Sequence, residues 1–321
     1  MTSVFAGCLS LITAVASLAG AQIEYRNLDG GRPVRVEDAA PTERHGLDLD
    51  LTTLRLDRLS RNRARLQLEP RLAYGILPNT EVSVRVPLFM REKGQSPRSG
   101  ISGLGAGIMR QLRIESLRMP ALSLAADAFV PVGPLAAHTA FSGKALLTKT
   151  SSLGRVHLNA SFGNFSVRIP APPPRPPGCG NPGSDPCPEP VPYLPPLDGP
   201  CTVSPVETAF RVAMLCGAPQ QPMRGTAAAG RVADRNHWLA GLAIDKTLPL
   251  RSLLIVTDVF AERFEGLNRA VDWTAELGVR HQSTPWLVVD AAVGRHYAGT
   301  GLSSFLTFGT TVSHAIFFRG R

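Results

Sequence analysis

The chain has no run of 18 uninterrupted apolar residues after its first 21 positions, so no helix of it can span a bilayer and a helical transporter is excluded. Lysine is scarce, at positions 93, 144, 149 and 246 only, so arginine carries most of the net charge of +9. Those arginines stand singly among acidic residues and form no basic helix or tail, which argues against nucleic acid. No histidine lies between Cys179 and Cys216 and no two cysteines form Cys-x-x-Cys, so no structural zinc site is expected. Gly103, Gly105 and Gly107 look superficially like a nucleotide loop. They lead into a strand, which offers no helix N-terminus to a phosphate. The best serine and histidine pair, Ser161 and His157, is four residues apart on one strand face, ~13 Å at the usual strand rise and too far for proton transfer. Neither metal, cofactor nor catalytic residue is expected, and the chain does not read as an enzyme.

What the sequence does have is alternation. Leu66, Leu68, Leu72 and Tyr74 point one way, while Arg63, Arg65, Gln67, Glu69 and Arg71 point the other. After Pro78 and Asn79 the pattern resumes at Val82, Val84, Val86 and Leu88. This is a hairpin of two long, two-faced strands, each limb about the 9 to 11 residues that cross a bilayer at a tilt. The length favours an all-β transmembrane barrel over a soluble sandwich. A mean hydropathy of +0.03 suits a barrel whose apolar outside and polar inside cancel.

Residues 1–21, nearly uncharged with an apolar core from Leu9 to Leu18 and Ala19 and Ala21 before Gln22, read as a secretory signal peptide. Residues 22–46 are polar and turn-rich and read as an unpaired periplasmic lead-in. The barrel is expected over 47–318, with twelve antiparallel strands near 47–57, 63–75, 80–89, 104–116, 120–130, 143–150, 154–165, 236–247, 252–263, 270–282, 286–297 and 302–318. Short connections alternate with longer ones, as in an outer-membrane barrel of a Gram-negative bacterium with both termini in the periplasm. Tyr74, Phe89, Phe129, Trp238, Trp273, Trp286 and Tyr297 fall toward strand ends, the positions of interfacial girdles.

The segment 166–235 breaks the pattern. Its proline run at 172–174 and 176–177 lacks the donors a barrel wall needs, so it reads as a semi-rigid extracellular loop insertion. Cys179, Cys187, Cys201 and Cys216 all fall in it, an even number in an oxidising compartment, which suggests two disulfides with three pairings open. Such a loop suits a cap over the pore, or a docking place for a protein partner.

Charge on a lipid-facing strand position is costly, so Arg63, Arg65, Glu69, Arg71, Glu81, Arg85, Asp127, Arg155, Asp258, Glu262, Asp272, Glu276, Arg280 and Asp290 are expected to line the lumen. They can pair into a ladder that fills the barrel, select a solute, or do both. Twelve strands lie between the roughly 8 that side chains fill and the 16 to 18 of wide porins, so a narrow lumen is expected, partly blocked by inward side chains or by the lead-in.

Several motifs carry a family resemblance: Gly31 to Ala39 (GRPVRVEDA), Leu68 to Ile76 (LEPRLAYGI) with Glu81 and Val86-Pro87, Gly103 to Gly107 (GLGAG), and Val130 to Gly133 (VPVG). Further along stand Trp238 to Asp245, Gly278 to Arg280, Leu287 to Asp290, and Gly294. Together these resemble the outer-membrane transporter family of the MetA pathway of phenol degradation. The resemblance implies a signal-bearing barrel that admits small aromatic or hydrophobic compounds. Ala106 stands where that family's pattern leads one to expect an acidic residue, and the cysteine-bearing loop looks like an insertion.

The sequence thus reads as a porin-like outer-membrane barrel passing a small solute by passive diffusion, with outer-membrane lipid and lipopolysaccharide as its surroundings. A surface protein whose loop binds a partner, a lipid-acting barrel enzyme and a soluble secreted β-protein stay open as rivals.

Overall fold

The computed structural model describes residues 27–28, 32–51, 54–58, 64–93, 100–101, 103–132, 139–169, 231–248, 252–265, 270–298 and 303–315. The signal-peptide stretch and all five cysteines fall outside these residues.

Sixteen strand segments make twelve antiparallel staves. Four staves consist of two segments each: β1 (Gly46–Asp50) with β2 (Leu54–Arg58), β3 (Ala64–Leu68) with β4 (Arg71–Leu77), β5 (Thr80–Arg85) with β6 (Leu88–Lys93), and β7 (Gly100–Ile101) with β8 (Leu104–Arg113). The others are β9 (Ala121–Val130), β10 (Ala140–Thr150), β11 (Arg155–Ile169), β12 (Arg231–Leu248), β13 (Leu253–Phe264), β14 (Asp272–Thr284), β15 (Leu287–Ala298) and β16 (Ser303–Ala315). Each stave pairs with the next in the chain, and β16 pairs with β15 on one side and with β1 and β2 on the other. The barrel therefore closes and has no free edge. Tight turns join the staves at one end, as at Leu77–Thr80, where Asn79 takes φ 59°, and at Thr284–Leu287.

The pattern of twelve staves stands as the alternation predicts, with two local differences. The first three were expected to be continuous, yet each is interrupted at one common height, after Asp50, before Arg71 and after Arg85, and the fourth, expected from 104, is preceded across the same break by β7, where a loop was expected. Pro70 and Pro87 sit in that row, and a proline donates no ladder bond. The second difference is at the long insertion: residues 166–169 and 231–235, expected in the loop, extend β11 and β12, paired through to Ile169 and Arg231.

The two faces separate cleanly. Leu72, Val84, Ile108, Leu124, Leu158, Leu242, Leu277 and Leu306 are exposed on the outside, while charged residues of the same staves are buried on the inside. A belt of exposed leucine, isoleucine and valine right round a barrel is stable only against hydrocarbon. Trp273 and Tyr297 stand exposed at the long-loop end, and Tyr74 and Trp286 are half-buried at the tight-turn end. Phe129 departs from its expected girdle role: it is 2% exposed and turns inward, into the space left by the missing side chain of Gly103. Leu277 lies midway along β14 and is half exposed. Leu277→Arg is expected to cost about 2–4 kcal/mol in urea unfolding from lipid vesicles. An unchanged unfolding midpoint would mean that this face does not meet hydrocarbon.

Candidate functional site: the occupied lumen

Inside the barrel lies the N-terminal segment. Up to Thr42 the lead-in adds no strand to the wall, and Leu28 and residues 32–42 are instead threaded through the lumen. The Asp38 amide donates to the Leu28 carbonyl at 3.2 Å, so the segment doubles back on itself.

Its backbone bonds go to side chains of the wall. The Arg35 amide donates to Asp258 Oδ2 (3.0 Å) and Glu276 Oε2 (2.8 Å), and the Val36 amide to Asp258 Oδ2 (3.0 Å). The Ala39 amide donates to Thr148 Oγ1 (2.9 Å), and its carbonyl accepts from Ser123 Oγ and Gln111 Nε2. The Thr42 amide and hydroxyl both donate to Glu81 Oε2 at 3.0 Å. Buried backbone groups need partners, and these take theirs from six strands of the wall, β5, β8, β9, β10, β13 and β14.

The segment's charges are matched as well. Arg32 pairs with Asp50 and with Asp290 (3.3 Å), and Arg35 with Glu262 (3.2 Å). On the other side Glu37 meets Lys144 (2.9 Å) and Asp38 meets Arg155 (3.3 Å). Its apolar residues Leu28, Val34 and Val36 pack with Ala243, Leu254, Val256 and Ala292 of the wall. Glycines make the room: a Cβ at Gly241 would stand 2.7 Å from Val36 Cγ2, one at Gly278 2.9 Å from Pro33 Cγ, and one at Gly309 would collide with Arg32.

Of the residues expected to line the lumen, Arg63 and the side chain of Arg65 lie outside the described residues. Glu69 is half-buried beside Gln67. Arg71 bridges Asp50 and Glu81, and Arg85 bonds Asp127 (2.6 Å), which also meets Lys144 (3.2 Å). That chain of charges crosses Gly105 and Gly107, where added side chains would strike Arg85 and Asp127. Gly105 and Gly107 of the Gly-x-Gly-x-Gly run therefore form a trough for ion pairs. Arg155 bonds Asp245 as well as Asp38. Asp258, Glu262, Glu276 and Asp290 hold the N-terminal segment, and Asp272 is buried on β14 opposite Glu262. Arg280 is 1% exposed, and among the described residues nothing bonds its Nε or Nη1.

Sequence reasoning missed Asp50, Lys144 and Asp245, which sit at inward positions of the same alternation, and above all Arg32 and Arg35. His157 is 0% exposed and does not serve Ser161. Its Nδ1 lies 3.0 Å from Thr148 Oγ1 and its Nε2 2.9 Å from Asp245 Oδ2. Between segment and wall on the Arg71, Glu81 and Asp127 side lies a cavity of about 20 Å³, enough for roughly one water.

A closed antiparallel barrel with an apolar belt outside and a polar, charged interior is an outer-membrane β-barrel, and its place is the Gram-negative outer membrane. The fold is similar to that of an outer membrane channel from Pseudomonas putida F1, at TM-score 0.50 and 10% identity over 84% of this chain and 94% of that one. The NanC porin follows at TM-score 0.47 and 5% identity (83% and 98%), and the translocator domain of the autotransporter NalP from Neisseria meningitidis at 0.49 and 10% (97% and 97%). No protein-family model matches the sequence, and no curated protein matches it either.

Proposed function

We propose that this protein is a channel through which a small solute crosses the outer membrane by passive diffusion, along a lumen that residues 32–42 occupy at rest. The observation that carries the reading is how that segment is held. None of residues 32–42 takes a ladder position in the wall, so the segment can shift without breaking a stave. A barrel of about 8 strands is filled by its own side chains. Here the wall instead keeps glycines at 241, 278 and 309 to admit a separate occupant.

The apolar patch of Ala243, Leu254, Val256 and Ala292 supports a solute with an aromatic or hydrophobic part, in keeping with the resemblance to the phenol-degradation transporters. In the same reading residues 1–21 direct export. The loop between β11 and β12, stapled through Cys179, Cys187, Cys201 and Cys216, caps the outer mouth and is where a protein partner would dock. Exposed arginines near that mouth, such as Arg295, meet lipopolysaccharide phosphates.

Single-channel recording of the refolded mature protein in a planar bilayer tests this. Small, discrete conductance steps that change on adding reductant are expected. A barrel that inserts correctly yet shows no steps, and whose vesicles do not swell in any small solute, would count against a channel.

A further inference from the structure

We infer that the acidic inner wall of β13, β14 and β15 is a binding site for a guanidinium or amidinium group on the solute, and that Arg35 is its built-in occupant. This rests on the channel reading above and names the class of solute.

The inward positions of these three strands carry Asp258, Glu262, Asp272, Glu276 and Asp290 against two basic side chains, Arg280 and His296, among the described residues. The chain as a whole is at +9, so this excess of acid does not follow from composition. Five carboxylates crowded on one buried wall repel one another and call for cations.

The structure shows which cation fits. The Arg35 guanidinium lies over the ring of Phe260, 4.4 Å from its centroid, and bonds Glu262 Oε2 at 3.2 Å. An aromatic face below and a carboxylate at the edge match a planar, delocalised, donor-rich cation better than a compact ammonium. The cage also has capacity to spare. Asp258 is 3% exposed and Glu262 0%, and among the described residues neither Asp258 Oδ1 nor Glu262 Oε1 has a hydrogen-bond partner. Buried acceptors left without donors are costly, and a ligand with several N–H groups relieves that cost.

Two positions further along the same inner face of β13 stand Val256 and then Leu254, part of the apolar patch. The solute class is therefore a small organic monocation with a planar head and an apolar body. Such a cation also competes with the N-terminal segment, because Asp258 and Glu276 hold the amides of Arg35 and Val36. Entry of the solute thus loosens the segment that blocks its path.

Chemical rescue of the full refolded chain provides the test. Arg35→Ala empties the cage and should lower the thermal midpoint of the barrel. Millimolar methylguanidinium chloride should restore much of that loss, while tetramethylammonium chloride at the same concentration should not. Arg35→Ala combined with Glu262→Gln should not be rescued. Equal effects of the two salts on Arg35→Ala, or equal rescue of the double variant, would overturn the inference. If Arg35→Ala does not refold, calorimetry of methylguanidinium against the wild-type chain and Glu262→Gln decides. Saturable binding weakened severalfold by the substitution is expected, and no saturable binding to the wild type would overturn it. Both readouts are independent of current. Rescue in a barrel that shows no conductance would leave the site and remove the channel, whereas conductance without rescue or binding would do the reverse.

Discussion

Removing residues 27–42 from the mature chain is expected to raise single-channel conductance severalfold and to make the current carried chiefly by cations. The segment fills the lumen from the Glu81 side, where Thr42 is held, to the Asp290 side, where Arg32 is held. Its loss removes the side chains of Leu28, Val34 and Val36, takes Arg32 and Arg35 from the acidic wall of β13 to β15, and takes Glu37 and Asp38 from Lys144 and Arg155. What then faces the water is a carboxylate-rich surface, and a ring of acids favours cations. The staves should survive, because the wall's ladder closes without this segment. The measurement is conductance and reversal potential in a potassium chloride gradient, beside a gel-shift check that the truncated barrel folds. An inserted, folded truncation with the conductance of the full chain would mean that the segment does not obstruct the path.

The second large effect is expected at Asp50, which is 1% exposed near the middle of the first stave. Its carboxylate accepts from Arg32, from Arg71 Nη1 at 3.3 Å and from the Thr311 hydroxyl at 2.8 Å, so it ties the N-terminal segment to β4 and β16. Asp50→Ala leaves Arg32 with Asp290 and Arg71 with Glu81, each having lost one partner in a buried setting. Removing one member of a buried ion pair costs about 3–5 kcal/mol, most of it from the charge left behind. Urea unfolding in detergent micelles should register a loss of that order, with the barrel still forming. Asp50→Asn, which keeps the shape and one acceptor, should cost less. Equal stability of Asp50→Ala and the wild type would show that these guanidiniums find other partners.

Residues with a local signature were legible in advance. Arg71, Glu81, Arg85 and Asp127 alternate with Leu72, Val82, Val84 and Ala126 along their staves, and a period of two assigns each to one face. Pro70 and Pro87 were legible too, but the length of the alternating run outweighed them, and the broken row in the first four staves went unread. The lead-in shows no period, because a chain whose amides bond to side chains from a surrounding wall has no reason to alternate. Arg32, Arg35, Glu37 and Asp38 therefore looked like ordinary polar residues of a tail. Gly241, Gly278 and Gly309, each at an inward position of a stave, were the available hint that something else occupies the lumen.

The sequence by itself determined that this is a twelve-stave barrel, which face of each stave meets lipid, and that the interior is charged. Those properties follow from nearest neighbours along a strand and from the cost of placing charge in hydrocarbon. Only the tertiary structure decided what the charges do. Arg32 meets Asp290 across 258 positions of chain and Arg35 meets Glu262 across 227. Such pairs form because closing the barrel brings distant staves around one segment, in a space where a buried charge must find its opposite.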